Sequence, residues 1–174
     1  MSAAEYMDFQ ELFKLGMKRN IPAVIKYDHG RAINLGSSKS DVWQIPGADA
    51  LGRPLWDFPH HNLPYDNASI TTIHCYHFLE HLTGIDAITM LRECERVMIP
   101  GRSVLNFCMP YYNSNLQAEC LDHKSFWNEN SFRNLFENSG FDIAGEWKLR
   151  THFILIAGVV EDNLCVIGQL VRDT

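Results

Sequence analysis

The stretch ITTIHCYHFLEHLTGIDAITMLRECERVMIPGRSVLNFCMP, from Ile70 to Pro110, decides the fold. Ile70 to Tyr76 is rich in β-branched residues and reads as a buried strand. From Ile85 to Met98 the period changes. Ile85, Ile88, Leu91, Cys94 and Met98 recur at helical spacing, while Arg92, Glu93, Glu95 and Arg96 lie largely off that stripe. Pro100-Gly101 ends the helix, since proline removes a donor and glycine allows a left-handed turn. Ser103 to Met109 is a second buried strand, closed by Pro110. Strand, helix and strand in that order predict parallel strands joined by a crossover helix.

The same reading extends outward. On the N-terminal side, Glu5 to Lys18 places Tyr6, Phe9, Leu12, Phe13 and Met17 at helical spacing, and Asn20 and Pro22 end the segment. Ala32 to Leu35 is a short apolar strand that stops at Gly36, ahead of the polar turn Ser37 to Ser40. Six prolines and glycines break the chain from Asp41 to Asn67, leaving room only for short strands at Ala48 to Leu51 and Leu55 to Phe58. On the C-terminal side, residues 111–128 are expected to form a lid or acceptor loop, with Asn113 to His123 irregular. Asn130 to Gly140 reads as a second amphipathic helix. Strand-like runs follow at Phe141 to Leu149, His152 to Val160 and Leu164 to Val171, with Glu161-Asp162-Asn163 as a hairpin turn. The whole predicts one α/β domain over residues 1–174: a mostly parallel sheet, helices on both faces, and an antiparallel C-terminal hairpin.

Composition narrows the classes. At 174 residues and 46% hydrophobic, a single core forms without disulfides or metal to support it. The five cysteines, Cys75, Cys94, Cys108, Cys120 and Cys165, are odd in number and contain no CxxC pair. Together with an acidic start that shows no leader pattern, this predicts reduced thiols and a cytoplasmic location. No apolar run is long enough to cross a membrane, Phe153 to Val160 being among the longest. A net charge of −6 without a Lys/Arg cluster argues against a nucleic-acid partner.

Several motifs occur in an order that resembles one family. They are Asn34-Leu35-Gly36-Ser37-Ser38, Trp56-Asp57-Phe58, Leu63-Pro64-Tyr65-Asp66-Asn67 and His77-Phe78-Leu79-Glu80-His81-Leu82. Arg92 to Gly101, Val104 to Pro110 and Asp122-His123-Lys124-Ser125-Phe126 follow, and then Phe132 to Phe141. Over about three-quarters of its length the chain resembles the class I S-adenosyl-L-methionine-dependent methyltransferases, in particular the small type 11 group found in bacteria and phages. The resemblance implies a Rossmann-like fold, S-adenosyl-L-methionine as cofactor, and methyl transfer to an acceptor. The chain's size favours a small or sugar-like acceptor over a folded macromolecule.

A glycine at the end of the first strand lets a ligand approach the backbone. By the resemblance, Leu35, Gly36, Ser37 and Ser38 border the methionine half of the cofactor. An acid at the end of the second strand would accept from the ribose hydroxyls, with Asp49 the candidate and Asp41 the alternative. The resemblance gives Asp57 the adenine amino group and Phe58 the ring face. Tyr76 and His77, at the end of their strand, fall where open α/β sheets bind ligands. His77, His81 and His123 are the candidate catalytic groups, because imidazole accepts protons near neutral pH. Structural roles compete with these: Glu80 capping the helix, His81 hydrogen-bonded beneath the ligand floor, His123 exposed on a loop. Tyr111 and Tyr112 either stack on an acceptor or pack the lid.

His77 to His81 also spells His-x-x-Glu-His, a zinc-peptidase spacing, but it begins where a strand ends and stops at Thr83-Gly84, so no metal is assigned to it. The pair His60-His61 reads as solvated, and such a pair can take up metal adventitiously. Three departures from the family pattern stand out: Ser38 replaces a glycine, Thr71 or Thr72 replaces an acid, and the interval from Gly36 to Asp57 is short for a full helix. The first two support an alternative reading, a methyltransferase-fold binding or partner protein with weak or lost catalysis.

Overall fold

The computed structural model describes residues 30–36, 47–52, 58, 60–128, 130–131, 151–160 and 163–172, most of the last two stretches as backbone alone. Six strands form one sheet: β1 (Ala32–Leu35), β2 (Asp49–Leu51), β3 (Thr72–Tyr76), β4 (Val104–Pro110), β5 (Thr151–Val160) and β6 (Asn163–Arg172). Their spatial order is β2-β1-β3-β4-β6-β5. The first four run parallel. β6 lies antiparallel to β4, and β5 antiparallel to β6. This is an α/β, Rossmann-like sheet in which β6 alone among the described strands runs against the rest, and β5, at the edge, returns to their direction.

Alternation along the strands gives the sheet two different faces, because neighbouring side chains point opposite ways. Ile33, Leu35, Ile73, Cys75, Leu105, Phe107 and Met109 share one face and one apolar core. Helix α1 (Gly84–Val97) completes that core with Ala87, Met90, Leu91, Cys94 and Val97. Burying Met90, Leu91 and Val97 contributes roughly 1.5–3 kcal/mol each. The opposite face carries a buried polar row. Asn34 is in register with His74, and His74 with Asn106.

The α1 boundaries follow local chemistry. Thr83 is the N-cap: its Oγ1 accepts from the Asp86 N–H at 3.2 Å and donates to the Asp86 carboxylate at 2.7 Å. Glu80 therefore does not cap this helix; it sits one turn earlier, in a 3₁₀ turn spanning Leu79–His81. Ile85 also departs from the predicted stripe, being 64% exposed. It lies in the first turn, where the helix has only begun to approach the sheet, and burial starts at Ala87. The chain leaves the helix at Met98, and Gly101 takes a positive φ of 67°.

The last turns of α1 hold the segment before β3. Arg96 donates to the carbonyls of Leu63 at 3.0 Å and Tyr65 at 2.9 Å, and to Asn67 Oδ1 at 2.8 Å. Glu93 pairs with Arg96 at 2.9 Å and accepts the Leu63 N–H at 3.1 Å. The N–H groups of Ala68, Ser69 and Ile70 then donate to the carbonyls of Arg96 and Val97. Planar guanidinium matches these spread acceptors as ammonium cannot.

The helices predicted over Glu5 to Lys18 and through Phe132 to Gly140, and the strand at Phe141 to Leu149, lie outside the described residues. So does most of Leu55 to Phe58; Phe58 itself is buried and stands in a turn. Residues 161–162, between β5 and β6, are likewise outside. Among the described residues no helix is long and apolar enough to cross a membrane.

The Arg96 clamp gives a direct test. Arg96→Met is expected to destabilise the fold by about 2–3 kcal/mol, and Arg96→Lys to recover less than half of that. Urea unfolding of the three proteins measures it. A loss below about 0.5 kcal/mol would contradict the clamp.

Candidate functional site

β1 connects to β2 on one side, and β3 lies on the other. The strand order thus reverses between β1 and β3, and a crevice at the carboxyl ends of two such strands is where open α/β sheets place ligands. Gly36 ends β1 and His77 ends β3. Gly36 has φ +76°, and its N–H donates to the Leu51 carbonyl at 2.8 Å. A Cβ there would fall 2.5 Å from Phe78 Cδ2, so the Phe78 ring takes the space that a side chain would need. His77 also has positive φ, +50°, a conformation that costs a non-glycine residue roughly 1 kcal/mol or more. Its N–H donates to the Cys108 carbonyl at 2.8 Å, extending the β3–β4 pairing by one residue. The left-handed step then turns the chain out of the sheet.

That turn delivers Glu80, which is fully buried. Glu80 Oε1 lies 3.2 Å from His77 Nδ1. Its backbone carbonyl accepts the N–H groups of Lys124 at 2.7 Å and Ser125 at 3.1 Å. Ser125 Oγ donates to the Leu79 carbonyl at 3.0 Å and accepts from Trp127 Nε1 at 2.7 Å. These bonds bring His123 against His81, with ring centroids 4.8 Å apart and planes at 69°. His123 Nδ1 meets the Gln117 carbonyl at 3.1 Å. His81 Nδ1 lies 3.0 Å from Asp122 Oδ2, close enough for an ion pair though out of line for a hydrogen bond. The Cys120 thiol, bonded to Asp122 Oδ1 at 2.7 Å, and the His81 imidazole beside it hold the Asp122 carboxyl below its usual range.

Residues 111–128 are consequently less open than a lid. They contain a short helix α2 (Asn115–Glu119), N-capped by Ser114, and bury Ser114, Gln117 and Trp127. The Tyr112 N–H donates to the Trp127 carbonyl at 2.8 Å, closing the segment on itself. Tyr111 and Tyr112 rings lie 5.1 Å apart, Tyr112 exposed and Tyr111 packed on the core.

The expected site residues separate into groups. Gly36 and His77 end neighbouring parallel strands, and His81 and His123 meet beside Glu80. Leu35 places its side chain in the core, leaving only backbone for a ligand. Phe58 is also a core residue, which leaves its ring little surface to offer an adenine. Tyr76 is buried, and its hydroxyl meets His74 Nδ1 at 3.0 Å rather than opening onto the crevice.

Asp49 requires a correction. It begins β2 instead of ending it, in register with Ile33, whereas Leu51 is the residue beside Leu35 and Gly36. Its carboxylate is engaged by Arg31 Nε at 2.7 Å and by the Tyr65 hydroxyl at 3.4 Å. Two residues of strand, about 6.6 Å, separate it from the carboxyl end of β2, level with Gly36. Ser37, Ser38, Asp41 and Asp57 lie outside the described residues. Glu80 is the residue that motif reading undervalued; the signal was a carboxylate spaced between two histidines.

No protein-family model matches the sequence, and no curated protein matches it. Solved structures do. The chain is similar to the candidate methyltransferase of a complex with the Haloferax volcanii Trm112 methyltransferase activator, at 14% identity and a TM-score of 0.53, covering 83% of this chain and 73% of that one. It also matches an S-adenosylmethionine-dependent methyltransferase from Methanosarcina mazei at 12% identity and a TM-score of 0.45, over 79% and 74% of the two chains. The first likeness establishes the fold that these proteins share.

The buried row behind the crevice generates a pH prediction. Burial pushes His74 down to about 4, so between about pH 6.5 and 4 the unfolded chain binds the extra proton and the folded chain does not. Stability must therefore fall as pH drops through that window, with no effect from this residue above it. From pH 7 to pH 5 the wild type should lose about 2 kcal/mol more than His74→Leu in urea unfolding. Equal losses would contradict the assignment.

Proposed function

We propose that the chain is an S-adenosyl-L-methionine-dependent methyltransferase acting on a small or sugar-like acceptor, of the kind its type 11-like motifs suggest. The observation that carries this reading is the reversal of strand order between β1 and β3, with Gly36 and the left-handed His77 at the two strand ends. Backbone near Gly36 fits the methionine half of the cofactor. Ser37 and Ser38, which follow Gly36 in sequence, are proposed for the same half, and Asp57 for the adenine amino group. Bound there, the cofactor supplies an electrophilic methyl carbon.

The chain's own contribution is to hold an acceptor in line and to remove its proton. His77 directly follows β3, and Glu80 holds its ring through Nδ1. A carboxylate in that relation orients a histidine and supports its positive charge. His81 and His123, paired beside the same glutamate, are the proposed acceptor-side groups.

A second reading has its own support. The Phe78 ring against Gly36 narrows the approach, and among the described residues no acid ends β2. Both features favour a binding or partner protein with reduced catalysis.

Calorimetric titration with S-adenosylmethionine and S-adenosylhomocysteine tests the proposal. Micromolar binding is expected, weakened about tenfold or more by Asp57→Ala and by less than about twofold by Asp49→Ala. Absence of heat with either ligand up to about 1 mM contradicts the cofactor assignment. Binding without methyl transfer to any acceptor favours the second reading.

A further inference from the structure

Beside His77 lies a group of side chains with one feature that proton removal from an acceptor does not require, a buried carboxyl oxygen without a partner. Glu80, His81 and His123 each present a ligand atom, and these atoms lie within 4.8 Å of one another. Glu80 is fully buried, yet its Oε2 has no hydrogen-bond partner, while Oε1 is taken by His77. A buried carboxyl oxygen without a donor is unfavourable by about 1–3 kcal/mol or more, and a cation removes that penalty. His123 is held in the way ligating histidines usually are: its Nδ1 meets the Gln117 carbonyl, which leaves Nε2 to bind. His81 keeps a buried ring nitrogen, Nδ1, without a hydrogen bond, 3.0 Å from the Asp122 carboxylate.

We propose that Glu80, His81 and His123 form a binding site for a first-row divalent metal ion, with zinc as the natural probe. Two imidazoles and one carboxylate suit such an ion, whereas magnesium and calcium require an oxygen shell. Around zinc, ligand atoms bonded at about 2.0–2.1 Å stand about 3.4 Å apart, so the three groups close in by up to about 1.5 Å on loading. Both histidines are part-exposed, which gives an ion access, and His81 has the exposed Asp122 carboxylate at its edge. Three protein ligands leave one coordination position open for solvent or for an oxygen of an acceptor.

The ligand set differs from the one that the His-x-x-Glu-His spacing suggests. His77 does not join His81 around an ion; it holds the opposite oxygen of Glu80, and His123 arrives from the 120s segment instead. An ion at this site would therefore tie that segment to the 3₁₀ turn. The proposal does not rest on cofactor binding, since a chain that never binds S-adenosylmethionine can still load zinc here.

The test is calorimetric titration of the chelator-stripped full chain with zinc chloride. One ion per chain is expected, with affinity reduced at least about thirtyfold in His81→Ala and in His123→Ala and changed less than about twofold in His60→Ala/His61→Ala. Retention of full affinity by the double variant His81→Ala/His123→Ala, or loss of binding on removing His60 and His61, overturns the proposal. X-ray absorption of the zinc-loaded wild type decides the matter even if a variant fails to fold. Two imidazole nitrogens with oxygen at about 2.0–2.1 Å support the site, and a sulfur ligand or a shell without imidazole refutes it.

Discussion

One buried glutamate organises the carboxyl end of the parallel strands. Glu80 reaches the interior because His77 steps into the left-handed region just after β3 and turns the chain back under itself. From there its backbone carbonyl takes the N–H groups of Lys124 and Ser125, and its carboxyl takes His77. Those contacts tie the 120s segment to the turn that follows β3, beside the bridge that pairs Trp127 with Tyr111. Hydrogen bonds to a buried carbonyl are costly to leave unmade, so the segment stays attached even where its surface, at Leu121 and Phe126, is exposed.

The centre of the fold was legible because its periodicities are strong. Strand, helix and strand from Ile70 to Pro110 appear where the apolar spacing changes from continuous to helical and back. Ile70 to Tyr76 reads in sequence only as a buried strand; that its two faces differ in polarity emerges from the register of His74 with Asn34 and Asn106. The motifs that suggested a family turn out to owe part of their spacing to structure. Leu63 to Asn67 and Glu93 to Arg96 are two halves of one hydrogen-bonded clamp, 30 residues apart in sequence.

What sequence reasoning missed depends on register and on tertiary contact. Whether Asp49 begins or ends a three-residue strand is set by its pairing with Ile33, and nothing local announces that pairing. Ile85 follows the helical period but lies ahead of the point where the helix meets the sheet. Residues 111–128 look polar and irregular, yet Trp127, Ser125 and the α2 cap fold them onto the 3₁₀ turn. Glu80 reads as a helix-capping acid until the Thr83 cap is seen, one turn further on.

Fold likeness at 14% identity leaves the chemistry to the residues themselves. The central claim is that the crevice between β1 and β3 receives the cofactor. Photolabelling with methyl-tritiated S-adenosylmethionine, followed by peptide mapping, tests it most directly. The account predicts label in peptides covering residues 30–36 or 76–81, suppressed by excess S-adenosylhomocysteine. Label confined to β5 and β6, or label that the competitor does not reduce, would contradict it.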